Sequence, residues 1–330
     1  MQQYRVIATL GPATESELLR SRLLHAGCNA FRLNTSHMSA ADVASTLERI
    51  AQLEWPERGR AGASPTVVLD LQGSKWRLGD YPGGTLAAGD SVVLMRGTES
   101  DAAAILPVPH GDFFRAVRDC CGEIRLNDGR VILRVQSIHQ DEVRCSVETG
   151  GPLSARKGVT VAGTRTRTET LGDRDAEILR QTRGAAGVAY AFSYVRDAAE
   201  MRTFRSMVDH GAAVIAKIER ESAIADVEAI SNVADEVWLC RGDLGAELGL
   251  LEMARSIRHF SGSVPELGSP CLLAGQVLQH MTVSPTATRS EITTIYDAVA
   301  AGYAGFVLSD ETALGAYPVE SCRTAAMFRQ

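Results

Sequence analysis

The chain has 330 residues and a mass of 35.4 kDa, which is more than one ordinary domain and less than three. Apolar residues make up 45% of the sequence and charged residues 22%, which is typical of a folded globular protein and excludes a disordered or collagen-like chain. The formal net charge of −6 provides no overall basic field for nucleic acid or an anionic membrane, so any bound anion must meet a local basic cluster.

No run of about 18 apolar residues predicts a membrane span, and the first four residues lead into strand-like sequence without the features of a signal peptide. We therefore expect a cytoplasmic protein. The seven cysteines, at positions 28, 120, 121, 145, 240, 271 and 322, show no CxxC or Cys/His metal spacing, so we interpret them as mostly buried thiols.

Eight short apolar segments recur along the chain, and each ends in polar residues or glycine. They cover residues 4–10, 29–34, 66–71, 187–193, 213–219, 236–241, 270–274 and 304–309. Continuous apolar segments are typical of buried parallel strands. Amphipathic segments of helical length lie between most of them, at 16–26, 40–53, 174–182, 198–208, 222–233, 247–260 and 312–328. This alternation predicts an α/β fold, a (β/α)8 TIM barrel, with a doubly wound sheet as the alternative.

The interval between the third and fourth strands is several times longer than a crossover needs. From residue 78 to 161 it changes to short alternating strands with turn signals such as Asn127-Asp128-Gly129. We predict a barrel domain formed by residues 1–77 and 162–330, with an all-β, barrel-like lid, residues 78–161, inserted after the third barrel strand.

Charged and polar residues follow most of the predicted barrel strands. Because the carboxyl ends of barrel strands form one rim, where the active sites of such barrels lie, we expect these residues to come together. The basic residues among them are Arg32, Lys75, Arg77 and Lys217, and the acidic ones are Asp70, Glu219, Asp243 and Glu311.

In Lys217-Ile218-Glu219 the alternation of a strand places both charged side chains on the lumen face, opposite Ile218. Such a pair could be a buried ion pair alone. Asp243, expected to follow the neighbouring strand, favours a second interpretation, because two carboxylates offer hard oxygen ligands for Mg²⁺ or Mn²⁺. Basic residues, a divalent metal and the turn at Gly242 together describe a site for a phosphorylated carboxylic acid.

Lysine is rare in this sequence. Of 34 Lys and Arg residues only three are Lys, at positions 75, 157 and 217, which leaves 31 Arg. These lysines could be accidental survivors of a bias towards arginine, or they could mark places that need a compact ammonium group.

Six rim motifs resemble those of the pyruvate kinase family, in order and at matching spacing. They occupy residues 9–14, 32–37, 70–73, 217–219, 241–245 and 308–312, and the segments 126–130 and 150–159 resemble that family's mobile B domain. The resemblance covers essentially the whole chain. It implies phosphoryl transfer between phosphoenolpyruvate and ADP through a pyruvate enolate bound to a divalent metal.

The resemblance also implies roles for individual residues. Arg32 would contact the transferring phosphoryl group, and Lys217 would stabilise the charge that develops on it and on the enolate oxygen. Glu219 and Asp243 would hold Mg²⁺ or Mn²⁺, and the backbone N–H groups of Gly242 and Asp243 would receive the substrate carboxylate. Phosphoryl transfer depends mainly on positioning and charge neutralisation, which these groups supply.

Two further groups follow from the resemblance. The nucleotide (ADP or ATP) would be bound by Pro12, Asn34, His37, Arg77 and Lys157, with Lys157 delivered by the closing lid. The monovalent-cation region would comprise Asn34, Ser36, Asp70 and Leu71. The segment at Leu71, Gln72, Lys75 and Leu78 resembles the branch of the family that needs no K⁺, so Lys75 is interpreted as a fixed substitute for that cation.

The sequence departs from the family pattern at Gly275, which stands where the family has a threonine that helps to protonate the enolate. Ordered water, oriented by Ser309, could supply the proton instead. Alternatively, Gly275 leaves space beside the enolate carbon. If the missing hydroxyl limits protonation of the enolate, Gly275→Thr should raise pyruvate formation. If the space is needed, the same change should abolish activity. We also expect the family's C-terminal regulatory domain to be absent, because the sequence stops after the eighth predicted helix.

Three functions therefore remain open at this stage. The first is pyruvate-kinase-like phosphoryl transfer, and the second is a related enzyme of specialised metabolism, a decarboxylase, aldolase or other phosphotransferase acting on a pyruvate-like keto acid. The third is a non-catalytic ligand-binding or partner subunit, which the retained charges disfavour. We expect small-molecule substrates, a homo-oligomer formed through barrel surfaces, and no nucleic-acid or membrane partner.

Overall fold

The computed structural model of the protein describes residues 4–53, 66–73, 75–120, 122–162 and 171–329. The first half of the barrel alternates strands and helices in chain order. Its elements are β1 (Arg5–Leu10), α1 (Glu17–His25), β2 (Ala30–Asn34), α2 (Ala40–Ala51) and β3 (Thr66–Leu71).

A segment with its own sheets and its own apolar core follows β3. Its elements are β4 (Gly84–Leu86), β5 (Ser91–Arg96), β6 (Ile105–Val108), α3 (Gly111–Asp119), β7 (Glu123–Leu126), β8 (Val131–His139), β9 (Glu142–Thr149), β10 (Gly151–Leu153) and β11 (Val159–Val161). Six of the strands form one sheet, and β10 pairs with β4 in another. We call residues 78–161 the insert.

The sequence predicted an all-β insert, and this prediction is wrong, because the insert also contains helix α3. Helix α3 buries Phe113, Phe114, Ala116 and Val117, whose spacing is helical, against the insert core. Trp76 belongs to the same core, and its indole N–H donates to Asp112 at 2.7 Å.

The second half of the barrel resumes at residue 173. Its elements are α4 (Asp173–Gln181), β12 (Val188–Phe192), α5 (Ala198–Met207), β13 (Ala213–Ile218), α6 (Glu221–Ala225), α7 (Val227–Ser231), β14 (Glu236–Cys240), α8 (Arg241–Leu248), α9 (Leu250–Ser263), β15 (Cys271–Ala274), α10 (Arg289–Ala300), β16 (Gly305–Leu308), α11 (Asp310–Ala313) and α12 (Pro318–Ala326).

The predicted (β/α)8 barrel is confirmed. Eight strands close in the order β1-β2-β3-β12-β13-β14-β15-β16, with β16 beside β1 and every neighbour parallel. Small and branched side chains such as Ala30, Val68 and Ala191 fill the lumen, whereas the larger apolar cluster lies between strands and helices. All carboxyl ends therefore lie on one rim, which positions the candidate site.

None of the helices in the described part of the chain has the length and apolar character needed to span a lipid bilayer. The six cysteines within the described residues are unpaired, and all but Cys120 are buried. Cys121 lies outside those residues.

Candidate active site

Asp70, in β3 at the rim, is the centre of a buried charge cluster. Its carboxylate is 3% exposed and receives a hydrogen bond at 2.7 Å from Nε of Arg32, in β2. Its other oxygen lies 3.0 Å from Nζ of Lys217, in β13. Arg32 also donates to the hydroxyl of Thr9 at 2.9 Å. One carboxylate thus orients the two cations to which the resemblance to pyruvate kinases assigns the phosphoryl group.

Lys217 is held by three oxygen atoms. Besides Asp70, its Nζ lies 2.9 Å from Glu219 Oε1 and donates to Ser193 Oγ at 2.7 Å. Burial alone would lower the pKa of Lys217, but the carboxylates of Asp70 and Glu219 outweigh it and hold the pKa above its usual range. The ammonium is therefore permanently charged and fixed in direction, as charge stabilisation during a reaction requires.

Glu219 and Asp243, the predicted metal ligands, are linked by one residue. The backbone N–H of Tyr194 donates to Glu219 Oε2 at 2.8 Å, and its phenol donates to Asp243 Oδ1 at 2.8 Å. Burial, reinforced by the charge of Asp243, raises the pKa of Glu219. Burial would also raise the pKa of Asp243, but Lys75 and Lys217 outweigh it and lower that pKa.

The two carboxylates fit an open divalent-metal site. Neither a hydrogen bond nor an ion pair within the described residues occupies the second oxygen of Asp243, and the donors are hard oxygens. No group of three or more His, Cys, Asp or Glu among the described residues could hold a metal ion. Any metal here would therefore need oxygen ligands from substrate and water, as catalytic sites do.

The predicted anion-binding turn begins α8. Gly242 and Asp243 lie in its first turn, where backbone N–H groups have no intrahelical acceptor. Arg241 fixes the neighbouring loop, because its guanidinium donates to the carbonyls of Gly275 at 2.7 and 2.9 Å and of Gln276 at 2.9 Å.

Gly275 adopts a left-handed backbone with φ of +87°, which a β-branched residue rarely tolerates. A Cβ placed there would lie 3.2 Å from the backbone nitrogen of Gly242. Of the two outcomes considered for Gly275→Thr, the structure favours loss of activity, because threonine would strain this backbone and press on the turn at Gly242.

We expect Gly275→Ala to lower the free energy of unfolding by about 1–3 kcal/mol, because alanine would be forced into a left-handed conformation. Urea unfolding measures this effect. Gly262→Ala is the matched control, since Gly262 lies in α9 with open space around its Cβ position and alanine favours helix. Equal stability of the native protein and Gly275→Ala would show that the loop relaxes without cost.

Arg77, one of the residues predicted for the nucleotide, lies between the barrel and the insert. Arg77 donates to Ser36 Oγ at 3.1 Å and to the carbonyl of Arg156 at 3.0 Å, while its buried Nε has no hydrogen-bond partner among the described residues. Asn34 accepts the N–H of Ser36 at 3.2 Å.

The other nucleotide candidates are less constrained. Lys157 is half-buried next to Gly158, whose backbone pairs with Arg77. Pro12 is exposed on the rim. The side chain of His37 lies outside what the structure describes. The structure therefore brings Arg77 and Asn34 together through Ser36, which is hydrogen-bonded to both.

Lys75 does not join the predicted monovalent-cation group. Its Nζ lies 2.5 Å from Asp243 Oδ1 and 3.5 Å from Asp128 Oδ1, and within the described residues no ion pair connects it to Asp70. The reason is electrostatic, since Arg32 and Lys217 already neutralise Asp70. Leu71, also assigned to this group, is fully buried, and its carbonyl accepts the hydroxyl of Ser193 at 2.7 Å.

Ser309 follows β16, and its backbone N–H donates to the buried carboxylate of Glu311 at 2.6 Å. The other oxygen of Glu311 accepts the N–H of Leu278 at 2.9 Å, which ties the loops after β15 and β16 together. Glu311 is therefore a loop anchor.

Our reading of the rim from sequence missed Ser193, Tyr194 and Asp175. Ser193 and Tyr194 directly follow β12, so the rule that places functional residues after barrel strands could have found them. Asp175 accepts the N–H groups of Gln72 and Gly73 at 3.1 and 2.8 Å, and burial raises its pKa to about 6. Asp175 fixes the chain after β3, but no short-range pattern reveals a contact across about 100 residues.

Comparison with known proteins gives a consistent result. The model of the family described as "Pyruvate kinase, barrel domain" matches residues 1–322. A pyruvate kinase of Agrobacterium vitis is 36% identical over 321 residues, which cover 96% of this chain and 65% of that protein. A pyruvate kinase of Thermococcus litoralis is 32% identical over 329 residues, which cover 98% of this chain and 68% of that protein. The chain thus spans about two thirds of the length of these relatives.

Proposed function

The chain belongs to the pyruvate kinase family, and on that premise we propose that it transfers a phosphoryl group between phosphoenolpyruvate and ADP, with the enolate of pyruvate as the intermediate. The observation that carries the proposal is the arrangement of Arg32 and Lys217 on the single carboxylate of Asp70. Two fixed cations at one point of a closed rim suit a group that carries several negative charges during transfer.

Each part of the site has a task in this reaction. The N–H groups of Gly242 and Asp243 receive the carboxylate of the substrate, and Arg32 orients the phosphoryl group. Lys217 stabilises the negative charge that develops on the enolate oxygen as the phosphorus–oxygen bond breaks. A divalent ion held by Glu219 and Asp243 would supply further positive charge at the phosphoryl and enolate oxygens.

The nucleotide would approach from the side where the insert faces the rim. The buried Nε of Arg77, which has no partner in the described part of the chain, offers an unused donor for a phosphate oxygen of ADP. Lys157, in the turn before β11, would add its ammonium from the insert side.

The test is a coupled assay of the purified protein with phosphoenolpyruvate, ADP and Mg²⁺, in which pyruvate and ATP are quantified separately. We expect both products in equal amounts. Pyruvate without ATP, or neither product at saturating substrates, would refute kinase activity.

Specific dependence on K⁺ is not expected. Asp70, the carboxylate assigned to the monovalent-cation region, is already paired with Arg32 and Lys217, so no further cation is needed to neutralise it. When tetramethylammonium replaces K⁺ at constant ionic strength, the rate should change by less than about twofold, since general screening is then equal. A large, saturable activation by K⁺ would contradict this prediction.

A related reaction on a keto-acid enolate is the second candidate, and the left-handed backbone of Gly275 favours it. The difference from the family pattern is more than the loss of a threonine hydroxyl, because the backbone conformation of Gly275 would strain a threonine at this position. A deuterium-exchange assay on the methyl group of pyruvate, compared with the rate of ATP formation, separates the two candidates. Fast exchange without ATP formation would favour the second.

A further inference from the structure

Lys75 lies on a carboxylate that the proposed function assigns to the divalent metal. Its Nζ is 2.5 Å from Oδ1 of Asp243, where the phenol of Tyr194 also donates. The ammonium lies 5.7 Å from the centroid of the Tyr194 ring, within the range of a cation–π contact. The Lys75 side chain is only 11% exposed, so water screens this ion pair weakly.

The surroundings hold Lys75 in this position. A Cβ on Gly158 would come within 2.7 Å of Cε of Lys75, so the insert backbone packs directly on the lysine stem. On the other side, Asp175 binds the backbone N–H groups of Gln72 and Gly73, just before Lys75 in the chain. The side chain of Lys75 and the backbone just before it are therefore both held in place.

The buried charges of the rim balance formally without any metal, and the exposed carboxylate of Asp128 lies outside this count. Three carboxylates, on Asp70, Glu219 and Asp243, face three cations, on Arg32, Lys217 and Lys75. A divalent ion would add two positive charges to a neutral cluster, and an ammonium already in hydrogen-bonding contact with Asp243 would repel that ion.

We propose that Lys75 competes with the divalent cation for Asp243 and so keeps the affinity of the substrate-free site for metal low. This inference rests on the metal site of the proposed function. The phosphoryl and carboxylate groups of a substrate would restore the charge balance, so metal binds tightly only together with substrate.

Displacement of Lys75 from Asp243 would also alter how the insert contacts the barrel. Asp128, the second partner of Lys75, lies in an insert turn with left-handed residues at Asn127 and Asp128. The insert also contacts the end of α8 through Arg125, which donates to the carbonyl of Ala246 at 3.0 Å. Lys75 therefore connects the occupancy of Asp243 to the position of the insert.

The experiment measures Mn²⁺ binding without substrates, by electron paramagnetic resonance of free Mn²⁺ at constant ionic strength. Lys75→Met removes the charge and keeps much of the bulk, and we expect it to bind Mn²⁺ about tenfold more tightly than the native protein, or better. Lys75→Arg keeps the charge and should remain close to native affinity. Lys157→Met, the same change at a lysine without an ion pair to Asp243 in the described residues, should also stay within about twofold of native.

Asp243→Asn separates the possible failures. If Mn²⁺ binding depends on Asp243 but Lys75→Met binds no more tightly than native protein, the competition is refuted and the metal site stands. Equal gains in Lys75→Met and Lys75→Arg would also refute it, because charge would then not be the cause. If Asp243→Asn binds Mn²⁺ as well as native protein, the proposed metal site itself is wrong. Thermal unfolding of each variant verifies that it is folded.

Discussion

Lys217→Arg is expected to lower turnover by about a hundredfold or more, while the protein remains folded. Arginine keeps the positive charge, but its planar guanidinium cannot replace a compact ammonium that contacts Ser193, Asp70 and Glu219 within 3.0 Å. The displaced charge would no longer stabilise the enolate oxygen, and losing such a contact costs about 10²–10³ in rate. The measurement is kcat for pyruvate formation in the coupled assay, with circular dichroism and thermal unfolding of the same sample.

Arginine is more informative here than methionine. Lys217→Met would leave Asp70 and Glu219 with an uncompensated buried charge, and breaking a buried pair costs about 3–5 kcal/mol of stability. Any loss of activity would then be confounded with unfolding. Lys157→Arg, the same change at another lysine of this lysine-poor chain, should cost far less in kcat. If Lys217→Arg turns over at a near-native rate, Lys217 serves only the fold.

The barrel could be predicted from sequence because its signals are local. Each buried parallel strand is a continuous apolar segment, and the predicted strand 66–71 coincides with β3. The alternation in Lys217-Ile218-Glu219 fixed the side-chain directions, and the structure places Ile218 in the outer apolar cluster while Lys217 contacts rim carboxylates. Strand periodicity and the common rim were therefore sufficient to predict that Arg32, Lys217 and Glu219 lie close together.

Three helices were not predicted, namely α3, α8 and α10. The segment that forms α10 carries a capping box of Thr288 and Glu291 before its two buried positions, Ile295 and Ala298, so a local signal was present but was overlooked. Helix α3 lies among strands and turns, and the alternation of its neighbours concealed its own helical spacing.

The partner of Lys75 could not be predicted, because it depends on how charges are shared across distant segments. The family resemblance placed this lysine where a monovalent cation would bind, in the region that includes Asp70, and only the three-dimensional arrangement shows that Arg32 and Lys217 already neutralise that carboxylate. Lys75 therefore pairs with Asp243, the acidic residue at the start of α8. The left-handed backbone of Gly275 and of the following Gln276 likewise became visible only in the structure.

Glu219→Gln is expected to reduce Mg²⁺-dependent turnover by at least about a hundredfold, and excess Mg²⁺ should not rescue it. Glutamine has nearly the same shape and can still accept the N–H of Tyr194, but it loses the charge that binds a hard divalent cation. Lys217 has two ion-pair partners, Asp70 and Glu219, and in this variant it keeps the pair with Asp70. The measurement is initial rate against Mg²⁺ concentration, together with the midpoint of urea unfolding.

Glu236→Gln is the matched control for this prediction. Glu236 is also a buried glutamate, it lies in β14 beside β13, and it pairs with Arg5 and with the indole N–H of Trp238 at the amino end of the barrel. Because it is remote from the rim, Glu236→Gln should lower stability by a similar amount yet leave the rate per folded molecule within about twofold. Comparable losses of rate in both variants would mean that any buried charge supports activity through stability alone. If Glu219→Gln shows the same activation by Mg²⁺ as the native protein, Glu219 is not a ligand of the metal.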